Sequence, residues 1–375
     1  MKLAIISHTA HYKRPDGTIV GWGPTVTEIN HLAKQFESIY HLAVLHPGTP
    51  PGSALPYTTD KVVFIPLKPT GGSTFYSKVG VLLNMPSTIV TVSRILKKVD
   101  IFQLRTPTGI GVYLIPWLSL FSRKKGWYKY AGNWVQKRPS FGYRFQIWAL
   151  KKQSRKVIVN GRWKEDPDHV IPFENPCLTE SDRELGKQTV VNKVLKTKKT
   201  YCFVGGLQAH KGIDILFEAI QNRKTNGIKE IHIVGTGILE QTLKKIADKS
   251  TVPIVFHGSL PRAQVFEIYR LAHFIILPSR NEGFPKVVSE AMNFGCIPIV
   301  SDVSCINQYI KDDGNGFLIE PLSVTEINKS VDKSLELSTH EFQEIIDSNY
   351  KLAERFTYTH YLKRIVSEIL NNQTK

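Results

Sequence analysis

Short runs of β-branched and other apolar residues alternate along the chain with stretches whose apolar positions recur every three or four residues. "KLAIIS", "LAVLH", "KVVFIPL" and "DIFQL" read as strands, and "TVTEINHLAKQF" and "TIVTVSRILKKV" as the helices between them. The rhythm resumes at Thr200: "TYCFVGG", "EIHIVGTG", "PIVFHGS", "FIILPS" and "CIPIV" as strands, and "GIDILFEAIQNR", "ILEQTLKKIADK" and "AQVFEIYRLA" as helices. Two βαβ series of this kind predict an α/β protein made of two Rossmann-like, doubly wound parallel sheets. The polar run "TESDRELGKQTVVNKVLKTKKT" reads as the connection between them. The expected domains are therefore residues 1–190 and 191–355, with a closing helix over 356–375 that packs back on the first.

Length agrees, since 375 residues suit two domains. The start, "MKLAIISHTAHYK", has a five-residue apolar run and reads as a buried strand rather than a secretory signal. The four cysteines, Cys177, Cys202, Cys296 and Cys305, lack metal-ligand spacing and read as reduced core thiols of a cytoplasmic protein.

Charge changes the picture in the first half. Of the formal +17, residues 1–170 hold 24 Lys+Arg against 8 Asp+Glu, and Ile101–Lys164 holds 14 cations with no carboxylate. Aromatic residues interleave with them in "SRKKGWYKY" and "QKRPSFGYRFQIWALKKQSRK". A solvated basic face, a nucleic-acid surface and a surface toward anionic lipid or lipid-phosphate are the three readings, and the one-sidedness favours the last. "PTGIGVYLIPWLSLF" is the most apolar stretch, but at 15 residues with an internal Pro116 it is too short to span a bilayer.

The richest chemistry lies in "NEGFPKVVSEAMNFGCIPIVSD", residues 281–302. "HFIILPS" supplies a strand before it, Pro285 sits at the favoured first helical position and Gly295 stops the helix. Amides at the helix start, from Gly283, Phe284 and Lys286, suit a phosphate. Glu282 precedes the helix and Glu290 lies more than one turn inside it, so they would touch different parts of an extended ligand. Carboxylates accept hydrogen bonds from paired hydroxyls, which fits a sugar-diphosphate-ribose. Equally, Glu282 could complement the helix dipole and Glu290 could be an exposed helical residue.

This pattern resembles the E-x7-E signature of family 4 glycosyltransferases, retaining enzymes of the GT-B fold. "FVGGLQAHKGIDILFEAI", "IHIVGTGILE", "IVFHGSLPRAQVFEIYRLAHFIILPSR" and "GNGFLIEP" are similar to the family's sugar-nucleotide domain, so the resemblance is specific over 200–321 and generic before it.

It implies two domains facing a central cleft and transfer of a sugar from a UDP- or GDP-linked donor to a glycan acceptor, lipid-linked as in bacterial surface polysaccharide assembly. Lipopolysaccharide and capsule assembly are the settings the resemblance implies, with the protein peripheral on the inner membrane face. It also implies donor-sugar contacts at Glu282, ribose contacts at Glu290 and diphosphate contacts at Lys211, with no cofactor and no metal.

Gly206 stands where the family usually has arginine, and Arg280 is the candidate replacement. A frequent N-domain histidine falls near Ala131. Gly23 in "GWGP" resembles a loop beneath the donor phosphates, and Arg105 could meet an anionic acceptor or donor. His8 and His11 follow the first strand. Asp166–Asp168, "DPD", is a weak metal motif in a turn, and "GTG" at 235–237 is short of a dinucleotide fingerprint. A nucleic-acid partner is not expected. The alternative is a noncatalytic nucleotide-sugar or polyanion-binding protein of the same fold.

Overall fold

The computed structural model describes residues 1–69, 80–221, 223 and 226–371. The chain forms two compact units, Met1–Glu174 with His360–Lys375, and Asn175–Thr359.

In the first unit the strands are β1 (Lys2–Lys13), β2 (Ile19–Trp22), β3 (Ser38–Leu45), β4 (Ala54–Pro56), β5 (Val62–Leu67), β6 (Ile101–Thr106), β7 (Lys125–Tyr130), β8 (Val157–Val159) and β9 (Val170–Pro172). Parallel pairing runs β5-β3-β1-β6-β7-β8-β9, and β2 and β4 add antiparallel beside the end of β1.

Alternate residues of the strands face opposite layers, as a pleat of period two requires. Ala4, Ile6, Phe102, Leu104 and Tyr128 pack under α2 (Met85–Leu96), α3 (Gly111–Phe121) and α4 (Phe141–Lys152). Leu3, Ile5, Ile101 and Trp127 pack with α1 (Gly23–Leu32) and with Tyr361, Leu362, Ile365 and Ile369 of the closing segment. The basic, aromatic "KGWYKY" is thus not all surface. Its Trp127, Tyr128, Lys129 and Tyr130 lie in buried β7, because a sheet covered on both faces takes apolar side chains on both.

The second unit holds β10 (Lys199–Val204), β11 (Ile228–Val234), β12 (Ile254–Gly258), β13 (Phe274–Leu277), β14 (Ile297–Ser301) and β15 (Phe317–Ile319). All pair in parallel, in the order β12-β11-β10-β13-β14-β15. Its helices are α5 (Glu180–Asn192), α6 (Ile213–Gln221), α7 (Glu240–Ala247), α8 (Arg262–Leu271), α9 (Lys286–Asn293), α10 (Ile306–Tyr309), α11 (Val324–Glu336) and α12 (Thr339–Ala353). The sequential order 3-2-1-4-5-6 is that of a dinucleotide-binding sheet, and it reverses direction between β10 and β13.

The expected connection around 179–200 and the boundary at 190/191 both need correction. Residues 180–192 are a helix, started by a capping box in which Thr179 Oγ1 accepts from the Asp182 amide and the Asp182 carboxylate accepts from the Thr179 amide. Arg183 donates to Asn293 Oδ1 at 2.6 Å and Arg262 grips the Asp182 carboxylate at 2.9–3.0 Å, so α5 belongs to the second unit and the division falls at 174/175. No helix among the described residues is long and apolar enough to cross a membrane.

Candidate functional site

In open parallel sheets, ligands bind at the carboxyl ends of the strands, where the strand order reverses. In the second unit that point is flanked by the loop after β10, which carries Gly205 to Lys211, and the loop after β13, which carries Pro278 to Pro285. Gly212, with φ +69°, lets the first loop close on the second: a Cβ there would lie 1.7 Å from the Pro278 carbonyl oxygen. The turn brings together residues 71 apart in sequence. Lys211 Nζ donates to Glu282 Oε1 at 2.5 Å, and Ser279 Oγ donates to the same oxygen at 2.9 Å.

Helix α9 begins at Lys286, with Pro285 as its extended cap rather than its first residue. There is no acidic side chain in its first turn, so the amides at its start keep their positive character for an anion. Further along it, Glu290 is largely buried, its side chain 14% exposed, with Arg262 Nε at 3.7 Å. Burial pushes its carboxyl up to about 7, against the pull of Arg262 and Lys286. Arg262 is in turn fixed by the Asp182 carboxylate and the Cys177 carbonyl. Lys211 and Glu282 thus meet just before the start of α9, Glu290 lies further along the same helix against Arg262, and all of them belong to the second unit.

Other expected site residues have different surroundings. Arg280 is held by both oxygens of Asp214, at 2.7 and 2.9 Å, and by the Ala209 carbonyl, so its guanidinium is committed to the protein. The Phe284 ring is buried, packing on Tyr309 and Phe356 with centroids 4.8 Å away in both cases, and it anchors the loop between Gly283 and Pro285 that leads into α9. A Cβ on Gly206 would meet nothing nearer than 4.0 Å, so the space beside it is open. Gly237 is required by the fold itself, because a Cβ there would lie 2.3 Å from the Leu207 carbonyl oxygen.

The first unit has its own strand-end site. A pocket of about 520 Å3 is lined by Ser7, His8, Tyr12, Trp22, Arg105 and Ala131 among others, at the ends of β1, β6 and β7. Arg105 Nη2 and Lys129 Nζ both donate to Glu28 Oε1 at 2.6 Å, and Tyr361 donates to it at 3.1 Å. Gly23 opens α1 beside this pocket, but its lack of a side chain is explained by β4: a Cβ would lie 2.8 Å from the Ser53 carbonyl oxygen.

His11 is fully buried in a polar chain rather than lining the pocket. Its Nδ1 lies 3.0 Å from the Thr9 carbonyl and so must carry the proton, while burial lowers its pKa to about 4 and keeps it neutral. Its Nε2 then accepts from Tyr57 at 2.8 Å, Tyr57 accepts from His41 Nδ1 at 2.6 Å, and His41 Nε2 accepts from Ser7 at 2.8 Å. One tautomer of each ring satisfies the whole chain.

The "DPD" turn is structural as well. Asp166 accepts from the Trp134 indole at 3.0 Å and pairs with Lys151 at 2.7 Å, and no metal-binding cluster occurs among the described residues.

Sequence reasoning missed Glu28, Arg262, His41 and Tyr57. Glu28 lies between the apolar positions of an amphipathic helix, a placement that signals a buried, paired carboxylate. Arg262 carried no comparable signal, since nothing local ties it to a residue 28 positions on.

Residues 187–353 match the family of glycosyl transferases group 1. An uncharacterized glycosyltransferase of Methanocaldococcus jannaschii is 29% identical over 216 residues, 56% of this chain and 53% of that protein. One from Haemophilus influenzae is 35% identical over 147 residues, 38% of this chain and 41% of that protein. The chain spans about half the length of the curated relatives it matches.

Among solved structures, a sucrose-phosphate synthase from Thermosynechococcus elongatus aligns with a TM-score of 0.74 at 14% identity, covering 100% of this chain and 98% of that one. Anabaena HepE in complex with UDP-glucose aligns with 0.68 at 16%, covering 99% and 100%. At these identities the likeness shows the fold, which is GT-B. The domain and the relatives' names are those of glycosyltransferases, enzymes of the transferase class.

Proposed function

We propose that this chain is a retaining glycosyltransferase that moves a sugar from a nucleoside diphosphate donor, UDP- or GDP-linked, to a glycan acceptor. The observation that carries the reading is the meeting of Lys211 and Glu282 at the strand-order reversal, beside the uncapped start of α9 and one helix face from Glu290. A diphosphate at that helix start lies beside the Lys211 ammonium, the donor sugar hydroxyls beside Glu282, and the ribose hydroxyls beside Glu290. As the glycosidic bond breaks, charge grows on the leaving phosphate, and donors already aimed at it stabilise the transition state without reorganising. A bound UDP-glucose in HepE, which shares the fold, supports the uridine form of the donor.

In this reading the Lys211–Glu282 pair is the ground-state arrangement. Donor binding shares the ammonium between carboxylate and phosphate, and leaves Glu282 Oε2, which takes no bond among the described residues, to accept from a sugar hydroxyl. Retention follows from the family resemblance. The cationic first unit supports an anionic or lipid-linked acceptor, as in cell-surface polysaccharide assembly, with the protein resting on the cytoplasmic membrane face.

A screen of activated sugars for released nucleoside diphosphate tests this. With the right donor, Lys211→Ala and Glu282→Ala are each expected to lower turnover by on the order of 10²- to 10³-fold. Full activity in both variants would overturn the assignment. Tight nucleotide binding with no turnover of any donor on lipid-linked acceptors would favour a binding protein instead.

A further inference from the structure

The layer formed by α2, α3 and α4 carries an outer face that the first unit's core does not use. Its inner face covers Ala4, Ile6, Phe102, Leu104 and Tyr128. The three helices are neighbours. A Cβ on Gly142 of α4 would touch Val112 of α3 at 3.7 Å, and one on Gly109, just before α3, would touch Val81, just before α2, at 3.3 Å. Lys124, after α3, donates to the Val99 carbonyl, after α2, at 2.7 Å, and Arg155, after α4, donates to the Ser122 carbonyl at 2.5 Å. Helix starts thus adjoin starts, and ends adjoin ends.

On α4, Phe141, Arg144, Phe145, Trp148 and Lys152 recur at helical spacing opposite buried Gln146 and Leu150, so one stripe of the helix is aromatic and cationic. Phe141 is 76% and Trp148 56% exposed. Leu120 and Phe121, at the end of α3, are each 75% exposed. On the α2 side, Leu83 and Val90 are exposed in line with Arg94 and Lys97. Single exposed apolar residues are ordinary on a protein surface, but this many large ones on one layer mark an interaction face.

Charge says what covers it. Arg94, Lys97, Arg123, Lys125, Arg144 and Lys152 are all exposed on these helices or at their ends, and no carboxylate occurs between Ile101 and Lys164. The one acidic residue between α2 and that segment, Asp100, already accepts from the Lys2 amide at 2.7 Å. A protein partner is ordinarily met by charges of both signs interleaved, whereas cations alone around protruding Phe, Trp and Leu match a sheet of anionic head groups over acyl chains.

We propose that the outer face of α2, α3 and α4 is a docking surface for an anionic lipid bilayer, with Leu120, Phe141 and Trp148 entering the interface and Arg144 and Lys152 lying at head-group level. This deepens the membrane part of the proposed function, and its test needs no donor or acceptor.

The full chain is sedimented with vesicles of phosphatidylglycerol mixed with phosphatidylcholine, and separately with pure phosphatidylcholine. Binding to the anionic vesicles alone, weakened by salt, is expected. Arg144→Glu together with Lys152→Glu lowers partition by on the order of tenfold or more, given the attraction each cation contributes near such a surface. Leu120→Ser together with Trp148→Ser lowers it comparably. Circular dichroism and an unchanged first-unit melting transition, read from the tryptophans, establish that the variants are folded.

Equal sedimentation with both vesicle types at low salt overturns the proposal, and so does undiminished binding by both folded double variants. No vesicle binding, with self-association that the apolar variant abolishes, would make this face a protein interface instead. In each of these outcomes donor turnover is measured separately and stands or falls with Lys211 and Glu282.

Discussion

Glu290 is the residue whose environment departs furthest from what its neighbours in sequence suggest. Its folded pKa, near 7, lies above the ordinary carboxylate value of 4.5. The free protein therefore holds stability below pH 4.5 that it loses as the pH rises through about 7, because ionisation strips a buried group of its proton. A ligand whose hydroxyls donate to the ionised form recovers that cost. UDP affinity is accordingly expected to tighten as pH rises from 6 to 8, and calorimetric titration across that range checks it. In Glu290→Gln the dependence should flatten, leaving only the titration of the phosphate.

The acidic pair flanking a helix start was legible in sequence because its spacing is local. Lys211 was named beside it only through the family resemblance, and its pairing with Glu282 across 71 residues, like that of Arg262 with Glu290 across 28, comes from a topology that only the folded sheet supplies. Arg280 is the converse case, where proximity in sequence suggested a phosphate contact and Asp214 holds the side chain.

At the scale of elements, α1, β6 and β7 are tied together by a carboxylate that the hydrophobic pattern hides. Glu28, on α1, takes Arg105 from β6 and Lys129 from β7 on a single oxygen, with all three side chains at most 12% exposed. Removing one partner of a buried charge cluster leaves the others desolvated and unpaired, at a cost of on the order of 3–5 kcal/mol. Glu28→Gln should lower the first unit's resistance to urea by about that amount, read from the tryptophan transition. Thr179→Ala should cost about 1 kcal/mol by removing half of the capping box on α5, and a loss seen only in the second unit would agree with the placement of that helix.

Strand and helix existence was legible wherever the pattern was strongly periodic. It was obscured where charge masked burial. The lysine-rich β7 read as surface because Lys125 and Lys129 punctuate it, although Lys129 is buried against Glu28. Helix α5 read as a linker because its contacts are polar: Asp182 to Arg262 and Arg183 to Asn293.

On the scale of the whole molecule, the chain leaves the first unit at Glu174 and returns to it at His360, so the first unit is completed only by the last segment. Tyr361, Leu362, Ile365 and Ile369 are at most 8% exposed in one cluster with Leu3, Ile5 and Trp127. Burying side chains of this size contributes about 1.5–3 kcal/mol each, so together they rival the net stability of a domain. Their loss would also remove the Tyr361 hydroxyl from Glu28.

The expectation is therefore asymmetric for a chain ended at Thr359. All six tryptophans, Trp22, Trp117, Trp127, Trp134, Trp148 and Trp163, lie in the first unit, so their emission reports that unit alone. It should shift to the red as Trp127 meets water, and the first unit's melting transition should be lost. Lys211, Glu282, Glu290 and Arg262 all belong to Asn175–Thr359. UDP should consequently still bind to the truncated chain and still raise the melting temperature of the second unit. Loss of UDP binding with the second unit's transition intact would mean that nucleotide recognition depends on the first unit, contrary to the site described above.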